Sequence, residues 1–310
     1  MNFFDLHCDT IYECALKGRE LYDNNFHISL KKGKRFKNWI ECFAIWAKDD
    51  LPSLELESFI FKTIDFWQDQ IKKNSEIIFC KNKSDLKSVR CGEKMGGILC
   101  IEGLSFVTND LSVFDSLYEK GVRLATLTWN NFSKIGDGSS VVKSRGLTDF
   151  GKLAVAKMLE LNMLVDISHA SDALFYDVFE CFPDAKGILA THSNSRKICN
   201  HARNLTDEQF LKLKSKNSIV GLTFCKHFLR TNAEATSWDI MRHAEHFLEL
   251  GGENVLSLGS DFDGADMPQN IVGIESMYNL YEMFLRHYKE DLVKAIFFEN
   301  AYNFFCRNLK

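Results

Sequence analysis

Short apolar runs rich in β-branched and aromatic residues alternate along the chain with longer amphipathic stretches, and no other feature limits the fold as strongly. The runs are Asn2–His7, Glu41–Ala47, Gly97–Ile101, Arg123–Thr128, Met163–Ser168, Gly187–Thr191, Ser218–Phe224 and Val255–Gly259. None exceeds seven residues, as expected of strands buried on both faces. Between and after them, helical patterns fall near Leu54–Lys73, Leu111–Lys120, Thr148–Leu161, Asp172–Phe182, Thr206–Lys216, Ala235–Leu250, Gly273–His287 and Lys289–Phe305. A β-then-α repeat implies a parallel sheet, and eight units imply a closed (β/α)8 TIM barrel of the α/β class. A doubly wound open sheet would carry a Gly-rich phosphate turn after its first strand, where this chain has His7-Cys8-Asp9.

Local signals agree with this reading. Ser53 and Thr148 stand at helix starts, and Thr206 followed by Gln209 forms a capping-box pattern. Gly121 and the pair Gly251-Gly252 lie just past helices, where a left-handed cap favours glycine. No linker or change of composition divides residues 1–310, so a single barrel unit with C-terminal helices is expected. The 38 basic and 42 acidic side chains give a net charge of −4, against a dedicated nucleic-acid binder. Ten cysteines without a CxxC pair read as free thiols of a reducing compartment, hence a cytoplasmic protein. No run approaches the roughly 20 apolar residues of a membrane span, and neither end carries a leader or lipid-anchor pattern.

In such barrels the C-terminal strand ends build the site. Five of these ends deliver metal-type ligands: His7 and Asp9, Glu102, His169, His192, and Asp261 with Asp263. His7 and Asp9 are two apart and so are expected on one face. Six potential ligands exceed the need of one tetrahedral ion, which points to two ions. Glu102, with two oxygens, is the natural bridge between a His7/Asp9 ion and a His169/His192 ion. Asp261 is left over as a candidate general base.

The order Asp-x-His-x-Asp, Glu-Gly, Ser-His-x-Ser, His-Ser, Arg-Asn and Gly-x-Asp-Phe-Asp-Gly resembles the renal (membrane) dipeptidase family of dizinc peptidases, among the amidohydrolase-like barrels. The resemblance runs from Asp5 to Gly264, and Glu299–Phe305 is compatible with the family's closing helix. It implies a bacterial-type cytoplasmic member with two Zn2+ per chain, Mn2+ or another divalent ion being an alternative. It implies the same ligand scheme, with Asp261 catalytic and Arg203 holding the substrate's free carboxylate. It also implies a homodimer, dipeptide substrates (D-residues tolerated at the C-terminal position) and a hydroxide held between the metals as nucleophile. Trp129 departs from the mammalian members, which carry a histidine that contacts the substrate carbonyl; bacterial-type relatives carry Trp. Indole can only donate a hydrogen bond, so Asn130 or Asn131 is expected to help stabilise the oxyanion.

Two other functions fit the same residues: an amidohydrolase acting on lactones, N-acyl amino acids or cell-wall fragments, and a non-catalytic metal- or ligand-binding barrel. Neither a membrane nor a nucleic-acid partner is expected. Around the ligands, Asp5 is expected on the face of His7, either orienting it or packing. Asp166 and Ser168 are expected to pair with backbone, and Asp263 to shape its loop. Gly136-Asp137-Gly138 reads as a substrate-facing loop. His27, His201, His227, His243, His246 and His287 read as structural or surface residues.

Overall fold

All eight expected runs form parallel strands in the computed structural model, which describes residues 1–48, 51–231 and 233–310. They are β1 (Asn2–Cys8), β2 (Asn38–Trp46), β4 (Met95–Glu102), β5 (Val122–Thr126), β6 (Leu164–Asp166), β7 (Ile188–Leu189), β8 (Val220–Leu222) and β9 (Leu256–Leu258). The order β7-β6-β5-β4-β2-β1-β9-β8 is closed between its two ends. There the Ala190 N–H donates to Ile219 O at 3.0 Å and the Gly221 N–H to Ala190 O at 2.8 Å. The chain is therefore a (β/α)8 barrel. The sequence reading misses one strand, β3 (Ile77–Phe79), which pairs with β4 outside the ring.

The helices form where apolar residues recur at helical spacing. In Ser53–Lys73, Leu56, Ile60, Ile64 and Trp67 are buried, and Trp67 packs 5.0 Å from Phe43 of β2. Pro52 occupies its N-cap, so Ser53 is the first helical residue rather than the cap. Thr148 and Thr206 do cap their helices, accepting from the N–H groups of Gly151 and Gln209. Helices Thr10–Lys17, Leu30–Gly33, Lys83–Cys91 and Lys226–Leu229 were not expected; only one exceeds eight residues, too few for a clear period.

Inside the barrel, Phe4, Leu6, Ile40, Cys42, Ile98 and Leu124 form one cluster with Phe298, Phe304 and Phe305 from the chain's end. The expected last helix is Glu290–Lys294 and Asn300–Asn308 joined by a π-turn at Ala295–Glu299. It puts Phe305 5.0 Å from Phe4 and so covers the N-terminal end of the barrel. The opposite end is left open.

One strand is irregular where it matters. β1 pairs Asp5 with Glu41 but Cys8 with Phe43, so it holds one residue more than β2 over that stretch. Phe4 and Leu6 join the interior cluster, and strict alternation would aim His7 away from it. The bulge returns His7 to the inside. It also separates His7 from Asp5, which does not share its face as expected. Asp5 instead accepts the Ser260 N–H at 2.7 Å and ties β1 to the segment after β9.

Candidate metal centre

The C-terminal ends of β1, β4, β6, β7 and β9 bring all six expected groups into one buried cluster. His169 Nε2 lies 2.8 Å from Glu102 Oε1 and 2.9 Å from His192 Nε2, and His192 Nε2 lies 3.6 Å from the same oxygen. His7 Nε2 faces Asp9 Oδ2 at 3.4 Å and Glu102 Oε2 at 3.8 Å, and it has no hydrogen-bond partner among the described residues. Donor atoms of His7, Asp9 and Asp261 all lie within 4.8 Å of one another, as do those of His7, Glu102 and His192. Glu102 stands between the two groups, one oxygen toward each. Asp261, left over in the sequence reading, falls in with His7 and Asp9.

These donors suit a cation better than they suit each other. Burial raises Asp9, up to about 7, with Glu102 adding to the effect, and burial likewise raises Glu102 and Asp261. Burial pulls His7 down, but Asp9, Glu102 and Asp261 outweigh it and push the imidazole up to about 10. His169 and His192 are held well below 6.5, first by burial, and are neutral. Asp9 Oδ1 is buried without a partner. Bonds of roughly 2.0–2.1 Å to one tetrahedral ion place its ligand atoms about 3.3 Å apart, close to the spacings around Glu102 Oε1. The residues fit divalent metal.

Asp261 is held by backbone rather than by a strand. It adopts φ +66°, and its N–H donates to His7 O at 3.0 Å. Such a conformation is uncommon for a non-glycine residue and marks a position fixed by its surroundings. Asp263, at φ +68°, accepts from Thr10 Oγ1 and from the His27 N–H at 2.7 Å. It thus shapes its loop as expected.

The other strand ends supply walls of a cavity of about 560 Å3: Trp46 at the end of β2, Trp129 and Asn130 after β5, and Cys225, His227 and Phe228 after β8. Trp46 and Trp129 pack at 4.9 Å, and Trp129 lies 6.2 Å from the His169 ring. Asn130 Oδ1 meets His169 Nδ1 at 2.9 Å, so this residue orients the His169 imidazole as well as lining the cavity. Arg203 is buried behind the histidines, donating to Ser168 O and, at 3.3 Å, to His192 O, and it is not in the cavity wall. Gly136–Gly138 is buried too and does not face the cavity; Asp137 pairs with Arg145 at 2.8 Å. A second cavity of about 670 Å3, lined by Lys34, Trp39 and Glu76, lies at the other end of the barrel, away from these donors.

The groups that sequence reasoning missed support the clustered donors from behind. Asp166 accepts from Thr126 Oγ1, Thr191 Oγ1, Ser168 Oγ and the Ser168 and Thr191 N–H groups, at 2.6 to 3.0 Å. It joins three strand ends through side chains as well as backbone. Its position two residues from Ser168 was visible; its partners on other strands were not. His243 and His246 are each held by other partners, as structural histidines.

A sequence model of the family described as "Membrane dipeptidase (Peptidase family M19)" matches residues 1–306. An uncharacterized dipeptidase of Schizosaccharomyces pombe is 28% identical over 269 residues, 81% of this chain; the match spans 64% of that relative's length. Among solved structures, the dipeptidase AC, a metallo peptidase of family M19, superposes with a TM-score of 0.91 at 25% identity, covering 100% of this chain and 99% of the other. A metallo peptidase from Rhodobacter sphaeroides, liganded with a phosphinate mimic of the dipeptide L-Ala-D-Ala, gives 0.89 at 24% identity over 100% and 99% of the two chains.

Proposed function

The chain belongs to the membrane dipeptidase family, peptidase family M19, and from that membership we propose that it is a metal-dependent dipeptidase holding two divalent ions, zinc in the first instance. The observation that carries the reading is the buried meeting of His7, Asp9, Glu102, His169, His192 and Asp261, where imidazole nitrogens and carboxylate oxygens crowd within reach of shared cations. His7 and Asp9 would hold one ion, His169 and His192 the other, and Glu102 both. When bound, the ions would polarise the scissile carbonyl and lower the pKa of water.

The chain's own residues then divide the remaining work. Asp261, fixed by its backbone above His7, would take a proton during attack and hand it to the leaving amine. Arg203 would supply positive charge for the substrate's terminal carboxylate, which limits substrates to short peptides with a free end. Trp129 and Trp46 would wall the cavity against water and against long substrates. The phosphinate ligand of the Rhodobacter relative supports L,D-dipeptides as substrates. We also propose that residues 1–310 act as one unit, as a homodimer. A cytoplasmic setting suits ten cysteines that are all free thiols. No helix among the described residues is long and apolar enough to cross a membrane.

One observation favours a second reading. Arg203 is absent from the cavity wall, which suits an amidohydrolase whose substrate lacks the free carboxylate, such as a lactone. A panel of L,L- and L,D-dipeptides, N-acyl amino acids and lactones, assayed with Zn2+ or Mn2+, separates the two. Dipeptide turnover that Asp261→Asn abolishes without loss of metal supports the proposal. Turnover of the other substrates alone replaces it with the second reading.

A further inference from the structure

The Nδ1 atoms of the two histidines that share Glu102 Oε1 are both engaged, by residues outside the six donors. His169 Nδ1 lies 2.9 Å from Asn130 Oδ1, an atom that can only accept, so the imidazole donates Nδ1–H. His192 Nδ1 lies 2.7 Å from Thr191 Oγ1, which has one proton to place. Asp166 settles where it goes. This carboxylate already receives two backbone N–H groups and the hydroxyls of Thr126 and Ser168, so Oδ2, 2.7 Å from Thr191 Oγ1, accepts the Thr191 proton as well. The oxygen of Thr191 is then free to accept from His192 Nδ1–H. Backbone packing holds Thr191 in place: a Cβ on Gly221 or Gly259 would sit within 1.9 Å of its carbonyl oxygen.

We propose that Asp166 and Thr191 are positioning residues that hold His192 in its Nδ1–H tautomer, as Asn130 holds His169, so that both Nε2 lone pairs converge on one cation beside Glu102. The proposal rests on the metallopeptidase reading of the site and adds a directional relay, Asp166 to Thr191 to His192, built from the ends of β6 and β7. It makes the two metal positions unequal in their support. The His169/His192 position depends on the relay; the His7/Asp9 position does not. Such outer partners typically alter metal affinity 10–100-fold.

The test combines zinc titration of metal-stripped protein against a competing chelator with nitrogen-15 imidazole spectra of the same metal-free samples. In wild type, His192 should show a protonated Nδ1. Thr191→Val should weaken one of two zinc equivalents 10–100-fold, leave the other unchanged, and mix the His192 tautomers, while Thr191→Ser restores both readouts. Asp166→Asn, whose amide can donate to Thr191, should turn the relay round and give His192 Nε2–H. A wild-type His192 protonated at Nε2 would overturn the proposal, and this spectrum needs no variant to fold. So would wild-type zinc affinities in both Thr191→Val and Asp166→Asn. A wild-type protein that binds no divalent ion removes the metallopeptidase reading instead, while the tautomer spectrum still judges the relay.

Discussion

Gly264 shows how little space the cluster of carboxylates and imidazoles leaves. A Cβ there would lie 2.0 Å from Asp9 Oδ2 and 2.7 Å from Asp261 Oδ1, so any side chain must push two carboxylates out of place. Gly264→Ala is therefore expected to lower kcat/KM by about 100-fold, the usual cost of misplacing reacting groups by an ångström. Circular dichroism should be unchanged; near-wild-type turnover would contradict the packing. His243 illustrates the opposite kind of histidine. Its Nδ1 accepts the Ser195 N–H at 3.0 Å, its Nε2 donates to Leu229 O at 3.1 Å, and burial lowers it to about 4. The unfolded chain binds that proton more readily, so the stabilisation is complete above about pH 6.5 and is lost as pH falls toward 4. The amount is on the order of 3 kcal/mol. Urea unfolding should show wild type losing that much more than His243→Gln across this window; parallel curves would contradict the assignment. His7, Asp9, Glu102, His169, His192 and Asp261 were legible because strand ends reveal their own residue types. The parts of Asn130, Asp166 and Thr191 were not, since each depends on a neighbour from another strand.

Elements were legible in proportion to their length and period. Ser53–Lys73 repeats its apolar residues over 21 positions and was found almost to the residue. β3 has three residues, and Thr10–Lys17 follows directly on the candidate ligand Asp9, where the site's polar residues mask the helical pattern. The β1 bulge could not be read from the chain at all, because alternation within Asn2–His7 places His7 correctly with respect to Asp9 but not with respect to the barrel. The closing segment was seen as one helix; its π-turn lets Asn300 Nδ2 reach Glu253 O and Leu256 O, both at 2.8 Å. Below it, Phe305 packs fully buried against Phe4, so Phe305→Ala should cost about 3–5 kcal/mol. Denaturant unfolding checks this, and a loss under 1 kcal/mol would mean the segment does not close the barrel.

At the scale of the molecule, the two ends of the barrel have different tasks. Aromatic side chains from the C-terminal segment fill the N-terminal end, and the C-terminal end keeps its cavity and gathers the ionisable groups. The eightfold repeat made that division legible, because it fixes which ends of the strands meet. What it left open is how the seam closes, since β7 has only two residues and the join runs through Ala190 just beyond it. The net charge of −4 includes Asp9, Glu102 and Asp261, which are buried together and call for cations. The most direct test of this account is a titration of the metal-stripped chain with Zn2+ or Mn2+, following hydrolysis of an L,D-dipeptide at each addition. Activity that starts near zero and saturates at two equivalents per chain is the predicted result. Failure to hydrolyse any dipeptide at any loading would contradict it.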